Sequence, residues 1–453
     1  MFDQPQTDGV SAEPVSNGQN PHGDLNTLET DLLIVGTGPA GASLACFLAS
    51  HGLKGVMISA APGSADTPRA HITNMAALEC LRDIGLEETC VKGAVKGDFM
   101  RHTRWCRTMA GEEFARIYSW GNDPRRKIPL VKRPGQGLAI NVLVKVDLSH
   151  VVENRVGNLH WVMQPDEDHP AFGWTGIVRM VRPWNEWMFI LFPAPGAGVE
   201  FETSGAEYLV RVKQLIGDDS IPVEILGVSK WFINEIVAEY YSDGNVFCLG
   251  DAVHRHPPLN GLGSNTCVQD AFNLAWKIAY VMKGLAQPAL LDSYSAERQP
   301  VGHGVITRAN QGLRDHAPVW EALGMMDPSL EVRKQQFAEL ASASEQGVAR
   351  RARLQAAVEG TAHEFHGLGI EMNQRYDSDA VYPLDEGARP PLPEDPVLQH
   401  DITTYPGSRL PHAWLNTRLQ RTPGSTFSGH PSPSSGTAFF GEADCGTKAS
   451  GYQ

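Results

Sequence analysis

The chain has 453 residues, 42% of them hydrophobic, with 45 glycines and 38 basic against 52 acidic side chains, a formal net charge of −14. At about 150 residues per domain the length holds roughly three domains' worth of material, and the apolar content suffices for a sizeable core, which excludes wholesale disorder. An acidic chain with no Lys/Arg run is unsuited to nucleic acid or an anionic membrane; seven scattered cysteines without a CxxC pair argue against a disulfide framework or zinc site and for a reducing compartment.

Met1–Glu29 is rich in Asn, Gln, Pro, Gly and Asp and lacks a charged stretch followed by an apolar one. Residues 1–30 therefore read as a disordered tail, not a signal peptide. No apolar run reaches the roughly 20 residues that cross a bilayer, and a soluble, cytoplasmic protein is expected.

Asp31–Gly36 is a short apolar run of the kind a buried parallel strand shows. It leads into Gly36-Thr-Gly38-Pro39-Ala40-Gly41, the helix-favouring Ala42–Ser50 and a second apolar run, Gly55–Ser59. Together they make one βαβ unit. Gly36 permits the tight turn, Gly38 lets the backbone approach a pyrophosphate, and Gly41 allows close packing of helix on strand, with free N–H groups at the helix start receiving the phosphate. The same turn also occurs as a purely structural element. The acidic residue that holds an adenosine ribose is missing where the second strand ends Ser59-Ala-Ala61, and Asp66 follows a few residues later. Thr73–Leu86 is expected to be a helix, with Asn74 as a cap and Gly85 near its end.

Leu138–Leu148, Leu159–Gln164, Trp174–Val181 and Trp187–Phe192 carry β-branched and aromatic residues between turn formers, as strands of an antiparallel sheet do, and Ser204–Ile216 reads as a helix packed on it. Trp161, Trp174, Trp184 and Trp187 would either wall an aromatic pocket or serve as ordinary sheet packing. Gly244–Gly250 gives a further buried strand, Asn265–Lys283 a long helix, and Leu290–Ala309 a helix interrupted at Pro300. Prolines mark Tyr382–Pro411 as an extended connector, and Arg418–Gln453 is Ser/Thr/Gly/Pro-rich without a sustained period.

Residues 245–265 read NVFCLGDAVHRHPPLNGLGSN: a strand ending in Gly250-Asp251, a proline pair, a glycine-rich turn and a helix opening. An aspartate at a strand's end can accept hydrogen bonds from a polyol, and the glycines let backbone amides approach a flat anionic ring. His254 and His256 read as loop residues of this string and not as metal ligands. The string resembles the Gly-Asp flavin motif of the class A flavoprotein aromatic hydroxylases, in the phenol and chlorophenol monooxygenase branch of the para-hydroxybenzoate hydroxylase family. Thr67–Asn74, Asn158–Met163, Gln269–Lys277, Tyr294–Pro300 and Pro406–Leu415 are similar too, so the resemblance spans Asp31 to Leu415.

Pattern and resemblance together give an α/β fold. A Rossmann-like FAD-binding domain is assembled from 31–127 and 229–312, and a mainly antiparallel β-sheet substrate domain covers 128–228. A helical and extended region covers 313–415, with a disordered tail over 416–453. The resemblance implies that Gly36, Gly38, Pro39, Ala40 and Gly41 line the FAD diphosphate and that Gly250 and Asp251 meet the ribityl chain. It puts Pro258, Gly261, Leu262, Gly263 and Ser264 by the isoalloxazine, with Asn265 and Arg69 also at the cofactor. The implied activity is hydroxylation of a phenolic or other aromatic substrate with O2 and NADPH or NADH, in aromatic catabolism or secondary-metabolite tailoring, and the implied assembly is a homodimer. No catalytic residue stands out by spacing. The alternatives are another flavin oxygenation, Baeyer–Villiger insertion or epoxidation, and a truncated inactive paralogue. The last draws on three departures from the family. No Asp-Gly motif with its Ser/Arg turn follows Arg125-Arg-Lys127, Ala76 stands where relatives tend to place an arginine, and no thioredoxin-like domain follows Leu415.

Overall fold

The computed structural model describes residues 28–411 except 62, 64–71, 95–99, 120–137, 154–156, 158, 169, 171, 194–203, 233–234 and 258. The tail expected over 416–453, and nearly all of that over 1–30, lie outside these residues. Strands β1 (Leu33–Val35) and β2 (Val56–Ile58) pair in parallel, joined through helix α1 (Pro39–Ser50). A strand buried on both faces was expected from the apolar run. Instead β1 has β2 as its one hydrogen-bonded neighbour among the described residues, and the two-residue period of a strand leaves Leu33 58% and Val35 76% exposed. Helix α2 (Met75–Asp83) starts where expected, with the Asn74 side chain accepting from the Ala77 N–H at 2.9 Å, and α3 (Glu87–Gly93) follows.

The central sheet has seven strands. Its members are β3 (His102–Cys106), β4 (Glu113–Tyr118), β5 (Leu138–Lys145), β6 (Leu159–Met163), β7 (Phe172–Arg182), β8 (Glu186–Pro193) and β9 (Glu224–Phe232), with helices α4 (Ser149–Val152) and α5 (Gly205–Ile216) between them. The spatial order is β4-β3-β6-β7-β8-β5-β9, antiparallel except where β3 lies beside β6. The sheet thus draws β3 and β4 from residues ahead of 128–228. The pattern hid them because Thr103 and Arg104 are polar yet buried, Arg104 being neutralised by Glu113 at 2.6 Å. Alternate side chains build two cores. On one face Val142, Val178 and Phe189 meet Tyr208, Val212 and Leu215 of α5, whose start is fixed by a Ser204–Glu207 capping box. On the other, Trp161 and Ile177 meet Val319, Leu354 and Phe365.

After β10 (Ile236–Val237) come β11 (Ser242–Asp243), β12 (Val246–Phe247) and β13 (His254–Arg255). The buried strand expected over Gly244–Gly250 is instead a two-residue antiparallel ribbon with β11, and Val246 is 65% exposed. Helices α6 (Leu262–Met282) and α7 (Asp292–Ala322) carry the rest of this region, followed by α8 (Leu330–Ala341), α9 (Glu345–Gly360), α10 (Ala362–Phe365) and α11 (Leu368–Met372). Pro300 does not interrupt α7, which runs through it and through Pro318. Buried polar contacts on the turn before it hold the helix on course. There Glu297 accepts from Lys277 at 2.6 Å, from Asn273 at 2.7 Å and from Ser378 at 2.7 Å, while Arg298 grips Asp270 at 2.8 Å. From 373 to 411 the chain is irregular, with repeated turns and not the extended connector expected, and is strapped down by Arg375–Asp401 at 2.7 Å and by an Arg409–Glu79 ion pair.

Burial pushes the Lys277 ammonium down to about 8, although Glu297 pulls the other way. Removing one member of a buried pair strands the other charge. Glu297→Ala is therefore expected to cost about 3–5 kcal/mol in urea unfolding, whereas the apolar double replacement Lys277→Met/Glu297→Leu regains most of that loss. Equal instability of the single and double variants would show that the loss comes from the pair's own bonds and not from a stranded charge.

Candidate cofactor and substrate site

The turn into α1 is built around a backbone clash that only glycine avoids. A Cβ on Gly41 would lie 2.0 Å from the Gly36 carbonyl oxygen and 3.2 Å from Ile34 Cγ2, so its absence lets the helix sit down on β1. Gly36 takes φ 107°, and its N–H donates to Ile58 at 2.8 Å. Gly38 caps α1 without a side chain, no acidic residue stands in the first turn, and a Cβ there would meet nothing within 4 Å. The first helical N–H groups are thus left for an outside anion.

A second helix start lies close by. Gly261 (φ 59°) caps α6, again without a side-chain cap or an acidic first turn. Gly250, at φ 60°, joins the two: a Cβ there would meet Cys267 Sγ of α6 at 2.8 Å and Ala40 Cβ of α1 at 3.1 Å. Asp251 is exposed, with its backbone carbonyl accepting from Arg255 Nε at 2.8 Å. Leu262 is buried and Gly263 and Ser264 are half-buried. Asn265 accepts from the Asn74 N–H at 2.8 Å and donates to the carbonyls of Ile72, at 2.8 Å, and Gly261. Its amide is committed to stapling the turn of α6 to the start of α2. Two uncapped helix starts and an exposed carboxylate, drawn together by glycines, fit a dinucleotide with a polyol arm. Arg69, Pro258 and Asp66 lie outside the described residues.

Behind the turn stands a network that spacing did not reveal. Asp270 takes His254 Nε2 at 2.8 Å and Arg298 Nε at 2.8 Å, with the Gly250 N–H at 3.4 Å; Arg298 also donates to Gln374 at 2.7 Å and to the Tyr376 hydroxyl at 2.9 Å. Burial would raise the Asp270 carboxyl, but Arg298 and His254 outweigh it and hold it below the usual range. His254, expected in a loop, lies in β13 and supports the turn through this hydrogen bond.

The four sheet tryptophans do not share a pocket. Trp187 belongs to the face covered by α5, and its indole donates to the Trp184 carbonyl at 3.1 Å in the β7–β8 turn. Trp161 and Trp174 lie in the opposite core with Trp105. On that side Trp161 stacks on His316 with ring centres 4.3 Å apart, and His316 Nε2 contacts the Glu364 carboxylate.

The two glycines of the first turn separate fold from function. Gly38→Ala meets no atom and no disfavoured φ, so it is expected to leave the unfolding midpoint within about 1 kcal/mol of wild type while weakening FAD binding about tenfold or more. Gly41→Ala drives its methyl into the Gly36 carbonyl and is expected to destabilise the fold itself. Flavin titration and urea unfolding of both variants check this; tight FAD binding by Gly38→Ala would remove the diphosphate from this turn.

The FAD binding domain family matches residues 29–133 and 124–309. The two stretches overlap at 124–133, where the Asp-Gly motif is missing. The chain is 37% identical to the 2,4-dichlorophenol 6-monooxygenase of Cupriavidus pinatubonensis (strain JMP 134 / LMG 1197), over 86% of this chain and 79% of that protein. It is 35% identical to the phenol 2-monooxygenase of Pseudomonas sp. (strain EST1001), over 91% and 79%. Among solved structures, the flavin-dependent monooxygenase PieE in complex with FAD and substrate superposes with a TM-score of 0.77 at 30% identity, covering 86% of this chain and 82% of that one. The chain belongs to the FAD binding domain family, as an FAD-dependent monooxygenase that hydroxylates aromatic compounds.

Proposed function

We propose that the substrate is a small phenol and the reductant NADPH, and that the cofactor lies across the two helix starts. Gly36, Gly38, Pro39, Ala40 and Gly41 take the diphosphate, and Gly250 and Asp251 the ribityl chain. Pro258 and Gly261 to Ser264 flank the flavin ring, Asn265 holds that turn in place, and Arg69 stands near the cofactor. The observation that carries this is the Gly250 contact, which sets the start of α1 beside Cys267 in the second turn of α6. Bound FAD supplies the electron transfer and the oxygen activation. The protein's part is electrostatic and steric. The dipole of α1 faces the diphosphate and that of α6 the flavin ring, the Asp251 carboxylate accepts from hydroxyls, and the aromatic face of the sheet keeps water from the reacting ring. The phenol-directed names of the relatives support the substrate class. The division into segments 31–127 and 229–312 around a substrate sheet, a homodimeric assembly and a cytoplasmic setting belong to the same reading.

The test is a visible spectrum of the purified protein with and without added FAD, then NADPH oxidation with phenols under labelled O2. Expected are a flavin band that co-elutes with folded protein, oxidation stimulated about tenfold by a phenol, equivalent to 1.4 kcal/mol, and one labelled oxygen in the product. Protein that stays colourless with FAD, or oxidation indifferent to every phenol, would overturn the reading.

A further inference from the structure

Asn260, in the turn that opens α6, adopts φ 66° and is buried. Its Nδ2 donates to the backbone carbonyl of Glu364 at 3.1 Å. The buried Glu364 carboxylate contacts His316 Nε2, and His316 stacks on Trp161 of β6. A continuous buried chain therefore runs from the flavin-facing turn through α10 and α7 to the aromatic face of the sheet. Packing alone does not account for it. His316 Nδ1 is buried with no hydrogen-bond partner among the described residues, a deficit that costs about 1–3 kcal/mol and that a phenylalanine would avoid. Burial, with Arg308 adding to it, pushes the imidazole down to about 3, so the ring is neutral and its Nε2–H donates to the carboxylate.

We infer that Glu364 and His316 are positioning residues for the hydroxylation: a strut that fixes the flavin-facing turn at Asn260 against the substrate sheet at Trp161. The inference rests on the hydroxylase reading and adds to it which groups set the cofactor-to-sheet distance. Neither residue need touch the reacting atoms. A looser strut lets NADPH oxidation continue while the reducing equivalents pass to O2 as H2O2 and the ring goes unhydroxylated.

His316→Phe keeps the stack on Trp161 and cuts the hydrogen bond; Glu364→Gln keeps the volume and removes the charge. The readouts are the fraction of NADPH recovered as hydroxylated product, the H2O2 formed, and the flavin difference spectrum when a phenol is added without NADPH. With phenol in excess both variants are expected to go on oxidising NADPH, to lose product fraction about tenfold or more, and to show a weakened difference spectrum, as misplacement by about 1 Å would cause. His316→Phe/Glu364→Leu, which leaves no stranded carboxylate, is expected to regain stability without regaining product fraction. Wild-type product fraction in both single variants would overturn the strut, and so would recovery of product in the double variant along with its stability. A wild-type protein that binds FAD but responds to no phenol would instead sink the hydroxylase reading beneath it.

Discussion

The carboxylate of Asp270 is fully buried, and a buried charge persists only where its lone pairs are taken up. Arg298 of α7 takes one oxygen, and His254 and the Gly250 N–H take the other. Arg298 carries the link onward to Gln374 and Tyr376 in the irregular C-terminal part. Three stretches of chain, at Gly250–His254, Arg298 and Gln374–Tyr376, are thereby fixed around one residue of α6. Satisfying that carboxylate constrains the Gly-Asp turn more tightly than any apolar contact would, because a hydrogen-bonded charge tolerates little displacement.

From this constraint the geometry of the cofactor cradle follows. With its N–H directed at Asp270, Gly250 is held in the left-handed region, and its bare Cα fits between Cys267 and Ala40. The start of α1 is thus brought to Cys267 in the second turn of α6, while Asn265 ties the start of α6 to the entry of α2. Behind them Leu44, Phe47 and Leu48 pack on Leu274, Ala275 and Ile278, with Phe47 and Phe272 edge to face at 5.3 Å. The glycines supply the approach, the Asp270 network the position, and the apolar layer the rigidity.

The parts legible in the sequence were those whose cause is local. The Gly36–Gly41 turn, the Asn74 cap, the Ser204 helix start and the strands β5 to β8 each carry their own signal within a few residues. What escaped depends on distant partners. Thr103 and Arg104 make β3 look polar until Glu113 is placed beside them. Pro300 reads as a helix break until Glu297 and Arg298 are seen to be held by α6. The dyad of His316 and Glu364 spans 48 positions and has no local trace. A signal for the α6–α7 network did exist: Asp270, Asn273 and Lys277 recur at helical spacing inside a helix otherwise rich in apolar residues, which marks a polar stripe facing a partner. The βαβ reading also assumed a strand covered on both faces, which Leu33 and Val35 contradict.

The Asp-Gly motif with its Ser/Arg turn is absent after Arg125-Arg-Lys127. Its expected position falls in 120–137, between β4 and β5 of the central sheet. Among the described residues, the contacts that bring the two helices together come from other parts of the chain. They run from Gly250 to Ala40 and Cys267, from Asp270 to His254 and Arg298, and from Asn265 to Ile72 and Asn74. The path from Asn260 through Glu364 and His316 to Trp161 also runs outside that interval. Leu33 and Val35 of β1 and Met57 and Ile58 of β2 stay exposed, while Ile34, between the first two, faces the glycine turn at Gly41. Among the described residues, the groups that shape the cradle thus have supports outside that interval.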